Sequence, residues 1–200
     1  YVAKYDGRNG VLNWVVSGGG IGVNQVIDMA VTSSGGVKVA TITDGFSQWS
    51  TSSYVAAGTL DAAIVELDTN GGVVSLNGIG ASAQQTVVTQ IEIDSSGDTY
   101  YAGTFGGTIS SGGWTATATY GGNDVFVARS AVSTSNSWAF VSGSSTEDEP
   151  WALAVTSNGL VTYGGYFSTA FTAGSTTLSP SNHDGYVIGL SSTGGLDWTE

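Results

Sequence analysis

Short β-type runs, bounded by turn-forming clusters, recur along the whole chain at one long interval. Ile27-Asp28-Met29-Ala30-Val31 is followed 62 residues on by Thr89-Gln90-Ile91-Glu92-Ile93, and 62 further by Trp151-Ala152-Leu153-Ala154-Val155. Val37-Lys38-Val39-Ala40, Thr99-Tyr100-Tyr101-Ala102 and Val161-Thr162-Tyr163-Gly164 keep the same interval. A third block occurs four times, as Tyr1-Val2-Ala3-Lys4, Ala63-Ile64-Val65-Glu66, Phe126-Val127-Ala128-Arg129 and Tyr186-Val187-Ile188-Gly189. Trp14, Leu76, Trp138 and Trp198 mark a fourth, at spacings of 62, 62 and 60. Four blocks holding one register are the signature of tandem units.

The blocks are short, β-rich and joined by turn chemistry. Ser33-Ser34-Gly35-Gly36, Ser95-Ser96-Gly97-Asp98 and Ser157-Asn158-Gly159 predict tight hairpins between the first and second strands of each unit. Gly7-Arg8-Asn9-Gly10, Asp68-Thr69-Asn70-Gly71 and Ser192-Thr193-Gly194-Gly195 predict the same between the third and fourth. About twenty variable residues separate the second strand from the third, and no segment has helical periodicity. The expected fold is all-β, with four antiparallel strands per unit. The expected division is a leading strand pair over 1–20, then units over 21–80, 81–142 and 143–200.

Such units suit sheets packed face to face around an axis. The third unit carries Trp151-Ala152-Leu153-Ala154-Val155, Gly165-Tyr166-Phe167, Asp184-Gly185-Tyr186-Val187 and Gly195-Leu196-Asp197-Trp198 in order. This order resembles the bacterial seven-bladed β-propeller repeat of secreted and cell-surface proteins. The resemblance spans essentially the whole chain, weakens where Leu76 replaces the tryptophan, and implies a fold but no common activity. Three and a half units do not close a propeller alone, so a longer chain or other chains would complete the ring. A β-trefoil-like or other stacked-sheet arrangement is the alternative, though it would leave the leading pair over.

Charge narrows the partners. Four basic residues stand against sixteen acidic ones, a formal net charge of −12. Nucleic-acid affinity rests on basic groups neutralising phosphates, so nucleic acid and anionic membrane surfaces are set aside. No apolar stretch is long enough to span a bilayer. The chain has no cysteine, hence no disulfide framework. Few lysines amid much Ser, Thr and Gly suggest an extracellular or cell-surface protein, and the start at Tyr1 suggests processing or truncation.

Candidate chemistry is sparse. Asp61, Asp124 and Asp184 each precede a third strand, where a carboxylate fixes a turn by accepting backbone N–H bonds; a ring of cation or sugar ligands is the other reading. Glu147-Asp148-Glu149 is the one dense acidic run, a Ca²⁺ candidate that lacks EF-hand spacing and otherwise reads as a solvated loop. Asp94 and Asp98 flank a turn and could share a cation. His183 stands alone, without a nucleophile-elbow sequence or a second histidine. Trp49 and Trp114 fall in the variable stretches and are candidate sugar-stacking platforms, whereas Trp14, Trp138 and Trp198 are expected to pack units together. The expected function is a non-enzymatic structural or interaction module without cofactor, partnered by itself, other surface proteins or glycans. A lectin-like propeller and, behind it, a polysaccharide-active enzyme are the alternatives.

Overall fold

The computed structural model describes residues 1–200, except for the side chain of Thr134. The chain is all-β, built of several antiparallel sheets, none of which closes into a barrel or ring. A leading pair, β1 (Val2–Tyr5) and β2 (Leu12–Val16), is followed by the two-residue β3 (Gly18–Gly19). The first four-stranded sheet comprises β4 (Asn24–Val31), β5 (Val37–Thr43), β8 (Asp61–Leu67) and β9 (Val73–Ile79). The second has β10 (Thr86–Ile93), β11 (Thr99–Phe105), β14 (Asp124–Ser130) and β15 (Trp138–Gly143) as its counterparts. The third has β16 (Glu149–Val155), β17 (Val161–Phe167), β20 (Asp184–Leu190) and β21 (Leu196–Thr199).

The variable stretches are not loops. Each folds into a two-stranded hairpin: β6 (Phe46–Trp49) with β7 (Ser52–Val55), β12 (Thr108–Ser111) with β13 (Trp114–Thr117), and β18 (Phe171–Ala173) with β19 (Thr176–Leu178). Two of these hairpins hydrogen-bond back to the strand that ends the preceding unit. Gly18 and Gly19 pair with Trp49 and Gln48, and Ser142 and Gly143 pair with Ala173 and Thr172. The expectation of four strands per unit is therefore corrected to four strands plus a hairpin, which in the first and third units pairs back to the preceding segment.

Period-2 geometry explains the core. In β14 Val125 and Val127 face the third sheet, while Phe126 and Ala128 face the first; all four are buried because the strand is covered on both faces. Three apolar clusters form, one at each junction between successive units. Large residues of one sheet (Tyr101, Phe105, Phe126) fit against small ones of the sheet before it (Ala30, Ala40, Ala62), so the layers interdigitate at interior density.

Each opening strand bulges at one position. The register slips at Ile27 in β4, at Thr89 in β10 and at Trp151 in β16. A bulge leaves one residue outside the ladder and re-aims its side chain. Here it stitches neighbours together: Thr89 Oγ1 donates to the Pro150 carbonyl at 2.9 Å, and the Ile91 amide donates to Asp28 Oδ2 at 2.9 Å.

Candidate functional site

The sequence-derived carboxylates hold turns. Asp61 accepts from the Ala57 and Gly58 amides and from the Tyr54 hydroxyl at 2.6 Å, and Asp124 accepts from Thr119 and Tyr120. Asp184 accepts from the Ser181 amide. Asp94 caps its own turn, and Asp98 pairs with Arg129. The acidic run does not converge: Asp148 is buried against the amide and hydroxyl of Ser144, while Glu147 and Glu149 are exposed and Glu149 accepts from the Trp151 indole. The turn before β16 folds Asp148 inward onto Ser144 and leaves its neighbours outside. Among the described residues no three His, Cys, Asp or Glu side chains gather as a metal site. His183 is exposed on a loop beside Tyr166.

Trp49 and Trp114 are not platforms, which corrects the sugar-stacking expectation for both. Each retains only 3% of its exposure. Trp49 lies on Gly18, where any Cβ would meet the indole, and Trp114 stacks on Phe126 at 5.7 Å while donating to Ser130 Oγ. A short hairpin folded onto its neighbour needs these rings as its own core.

Burial pushes the carboxyls of Asp124 and Asp148 above their ordinary value, although backbone amides, and for Asp148 the Ser144 side chain, oppose the shift. The charge of Asp124 raises Asp148 further. Asp124 Oδ1 is buried with no hydrogen-bond partner. Asp98 behaves oppositely: burial works to raise it, but Arg129, the Val132 amide and Lys38 hold it below the usual value.

Opposite stability limbs follow from these shifts. A raised carboxyl keeps a proton that the unfolded chain has released, so its contribution is full below the ordinary value of 3.8 and is lost as pH rises through the folded value. The Asp98 contribution is full above 3.8 and is lost as pH falls through its lowered value. Stability should therefore rise from neutral pH into the mildly acidic range and fall below it. Asp124→Asn, which imitates the protonated carboxyl, should flatten the rise. Urea melts between pH 7.5 and 3 check this, and a monotonic fall from neutrality would contradict it.

The junctions carry the most informative geometry. The Trp14 indole donates to the Thr69 carbonyl at 2.9 Å, in the turn that follows β8. The Trp138 indole donates to the equivalent Ser192 carbonyl at 3.1 Å, in the turn that follows β20. Each ring covers a left-handed glycine of that turn, Gly71 (φ 83°) and Gly194 (φ 83°), where a Cβ would lie 2.9 and 2.6 Å from the indole. A cation supports each ring: Lys4 reaches the Gly35 and Thr69 carbonyls, and Arg129 reaches Ser192.

Sheet register corrects one assignment. Lys4 faces Trp14, Arg129 faces Trp138 and Gly189 faces Trp198 across their ladders, but Glu66 faces Ser75, not Leu76. Leu76 turns to the opposite face, into the cluster with Val65. The tryptophan position of the first sheet is thus held by Ser75 and the cation position by Glu66. A cleft of about 250 Å³ opens there.

Both end faces lack a covering sheet. Val187 of β20 is 43% exposed, whereas its counterparts Ile64 and Val127 are 5% and 0%. Trp198 is half exposed and has no turn carbonyl to donate to among the described residues. At the other end the β1–β2 turn carries Gly10 (φ 70°), with nothing within 4 Å of its Cβ direction, and Tyr5, at the start of that turn, is exposed. Among the described residues no helix is long and apolar enough to cross a membrane. No family model and no curated protein matches the chain.

Proposed function

We propose that the chain is a run of β-propeller-type units that serves as a non-enzymatic structural or interaction module of an extracellular or cell-surface protein or polymer. It works by adding one unit to the next. The observation that carries this reading is a mismatch at the two ends: Trp198 is an indole without a turn glycine, and Gly10 is a turn glycine without an indole. At both indole-bearing internal junctions the same pair is joined. Offered to itself, the chain supplies the missing partner: the β1–β2 turn of a second copy receives Trp198 as Gly71 receives Trp14. The contact is head-to-tail, so it extends rather than closing on itself in a pair. The acidic, lysine-poor composition supports the extracellular setting.

Sedimentation velocity across a hundredfold range of concentration tests the reading. Mass should rise with concentration, and Trp198→Ala should hold the chain at monomer mass without lowering its melting temperature by more than a few degrees. A monomer at every concentration, or association unaffected by Trp198→Ala, would contradict it.

A further inference from the structure

The cleft between the first and second sheets has the form of a slot whose usual occupant has been removed. At the flanking junctions an indole and a cation fill that slot and donate to turn carbonyls of the following unit. Ser75 and Glu66 are too short, and Glu66 is of the wrong charge, to do the same. The carbonyls left over belong to Gly97 and Val132, the register counterparts of Gly35 and Thr69. Both residues line the cleft, and among the described residues no protein donor reaches either carbonyl. The site is therefore a built departure from a pattern present on either side of it.

We propose that this cleft binds one neutral six-membered sugar ring. Its acceptors are the Glu66 carboxylate and the two free carbonyls. Its donor is Lys38, whose Nζ donates to Thr99 Oγ1 at 2.8 Å and has protons to spare, and the hydroxyls of Ser75 and of Ser130, which accepts from Trp114, line the same cleft. A ligand that satisfies this mixture must donate and accept from the same groups, which is what hydroxyls do. An alkylammonium ion would pair with Glu66 but lie beside the Lys38 charge, and an anion would meet Glu66 itself. Ile64 gives the cleft an apolar wall for the C–H face of a ring, and Tyr101 brings its hydroxyl beside Glu66, Thr99 and Ser130. At about 250 Å³ it falls below the roughly 300–1,000 Å³ of drug-sized sites, which sets the ligand at one sugar residue rather than several.

Binding is read by saturation-transfer NMR and titration with a panel of methyl glycopyranosides, with n-butylammonium as the competing cation. At least one glycoside should bind. Glu66→Gln, which keeps shape and fold, should weaken it about tenfold, the worth of one charge-assisted hydrogen bond. Ser75→Trp, which restores the indole of the flanking junctions, should abolish binding and leave the melting temperature equal or higher. If that variant does not fold, Glu66→Gln alone decides. No glycoside binding, preference for butylammonium, or glycoside binding indifferent to Glu66→Gln would each overturn the proposal.

Discussion

Phe126→Ala is expected to lower the free energy of unfolding by about 3–5 kcal/mol, the range for deleting a fully buried aromatic ring. Phe126 is wholly buried, edge-on to Phe105 at 5.5 Å and stacked on Trp114 at 5.7 Å. It joins the second sheet to the small residues of the first, and it also holds the β12–β13 hairpin through Trp114. Collapse around the vacancy is limited because Trp114 is anchored to Ser130 at its far end. For a chain of this size, about 2–4 °C per kcal/mol puts the loss of melting temperature near 10 °C. Denaturant melts with an unchanged slope would place the effect in the folded state. A loss under 1 kcal/mol would mean that the junction is not the cooperative core described.

Arg129→Ala ranks second, at about 3 kcal/mol near neutral pH. It leaves the Asp98 carboxylate buried without its guanidinium partner, and uncompensated buried charge is the costly case. It also removes the donor to Ser192 and so loosens the second sheet from the third. The sign of the pH dependence is fixed by the ion pair that holds Asp98 below its ordinary value: the deficit should be full near neutral pH and shrink as pH falls and Asp98 is protonated. The double variant Asp98→Asn with Arg129→Met should recover much of the loss, since both charges then go together. Chemical denaturation of the single and double variants at pH 7 and pH 3 checks both statements, and a pH-independent deficit would exclude the ion pair as its cause.

The main strands were legible because these sheets are covered on both faces. Ala62-Ala63-Ile64-Val65 and Val125-Phe126-Val127-Ala128 are continuous apolar runs that need burial on two sides, and the turns between strands carry glycines at left-handed positions. The hairpins are not legible in the sequence pattern. Their strands hold only one or two apolar residues each, as in Thr108-Ile109-Ser110-Ser111 and Trp114-Thr115-Ala116-Thr117, so alternation is short and the flanking Ser and Thr read as loop. The available signal was Gly112-Gly113 between two such runs, a two-residue hairpin turn. Reading Trp49 and Trp114 as exposed followed from that omission.

The cleft was hidden by a slip of one residue. Aligning Leu76 with Trp14 at an interval of 62 is natural, but the β1–β2 turn, where the Asp6 amide donates to the Val11 carbonyl, is one residue longer than the β8–β9 turn, where the Asp68 amide donates to the Gly72 carbonyl, and the extra residue sets the register apart from the spacing. The pairing of Glu66 with Ser75 reveals which position lost its indole. The buried carboxylates divided differently. The turn role of Asp61, Asp124 and Asp184 follows from their place at the start of a strand, but the burial of Asp148 depends on how the turn between β15 and β16 folds it back onto Ser144.

The central claim, that the ends of the chain are complementary and join in one direction, is tested most directly by mixing two disabled chains. Trp198→Asp removes the indole end; Gly10→Asn, a residue that tolerates the left-handed backbone, puts a side chain where the indole must lie. In sedimentation velocity each variant alone should remain monomeric, and an equimolar mixture should form one-to-one dimers and nothing larger, because each partner retains the end that the other lacks. Dimers in either variant alone, or no dimers in the mixture at concentrations where the unaltered chain associates, would contradict the head-to-tail account.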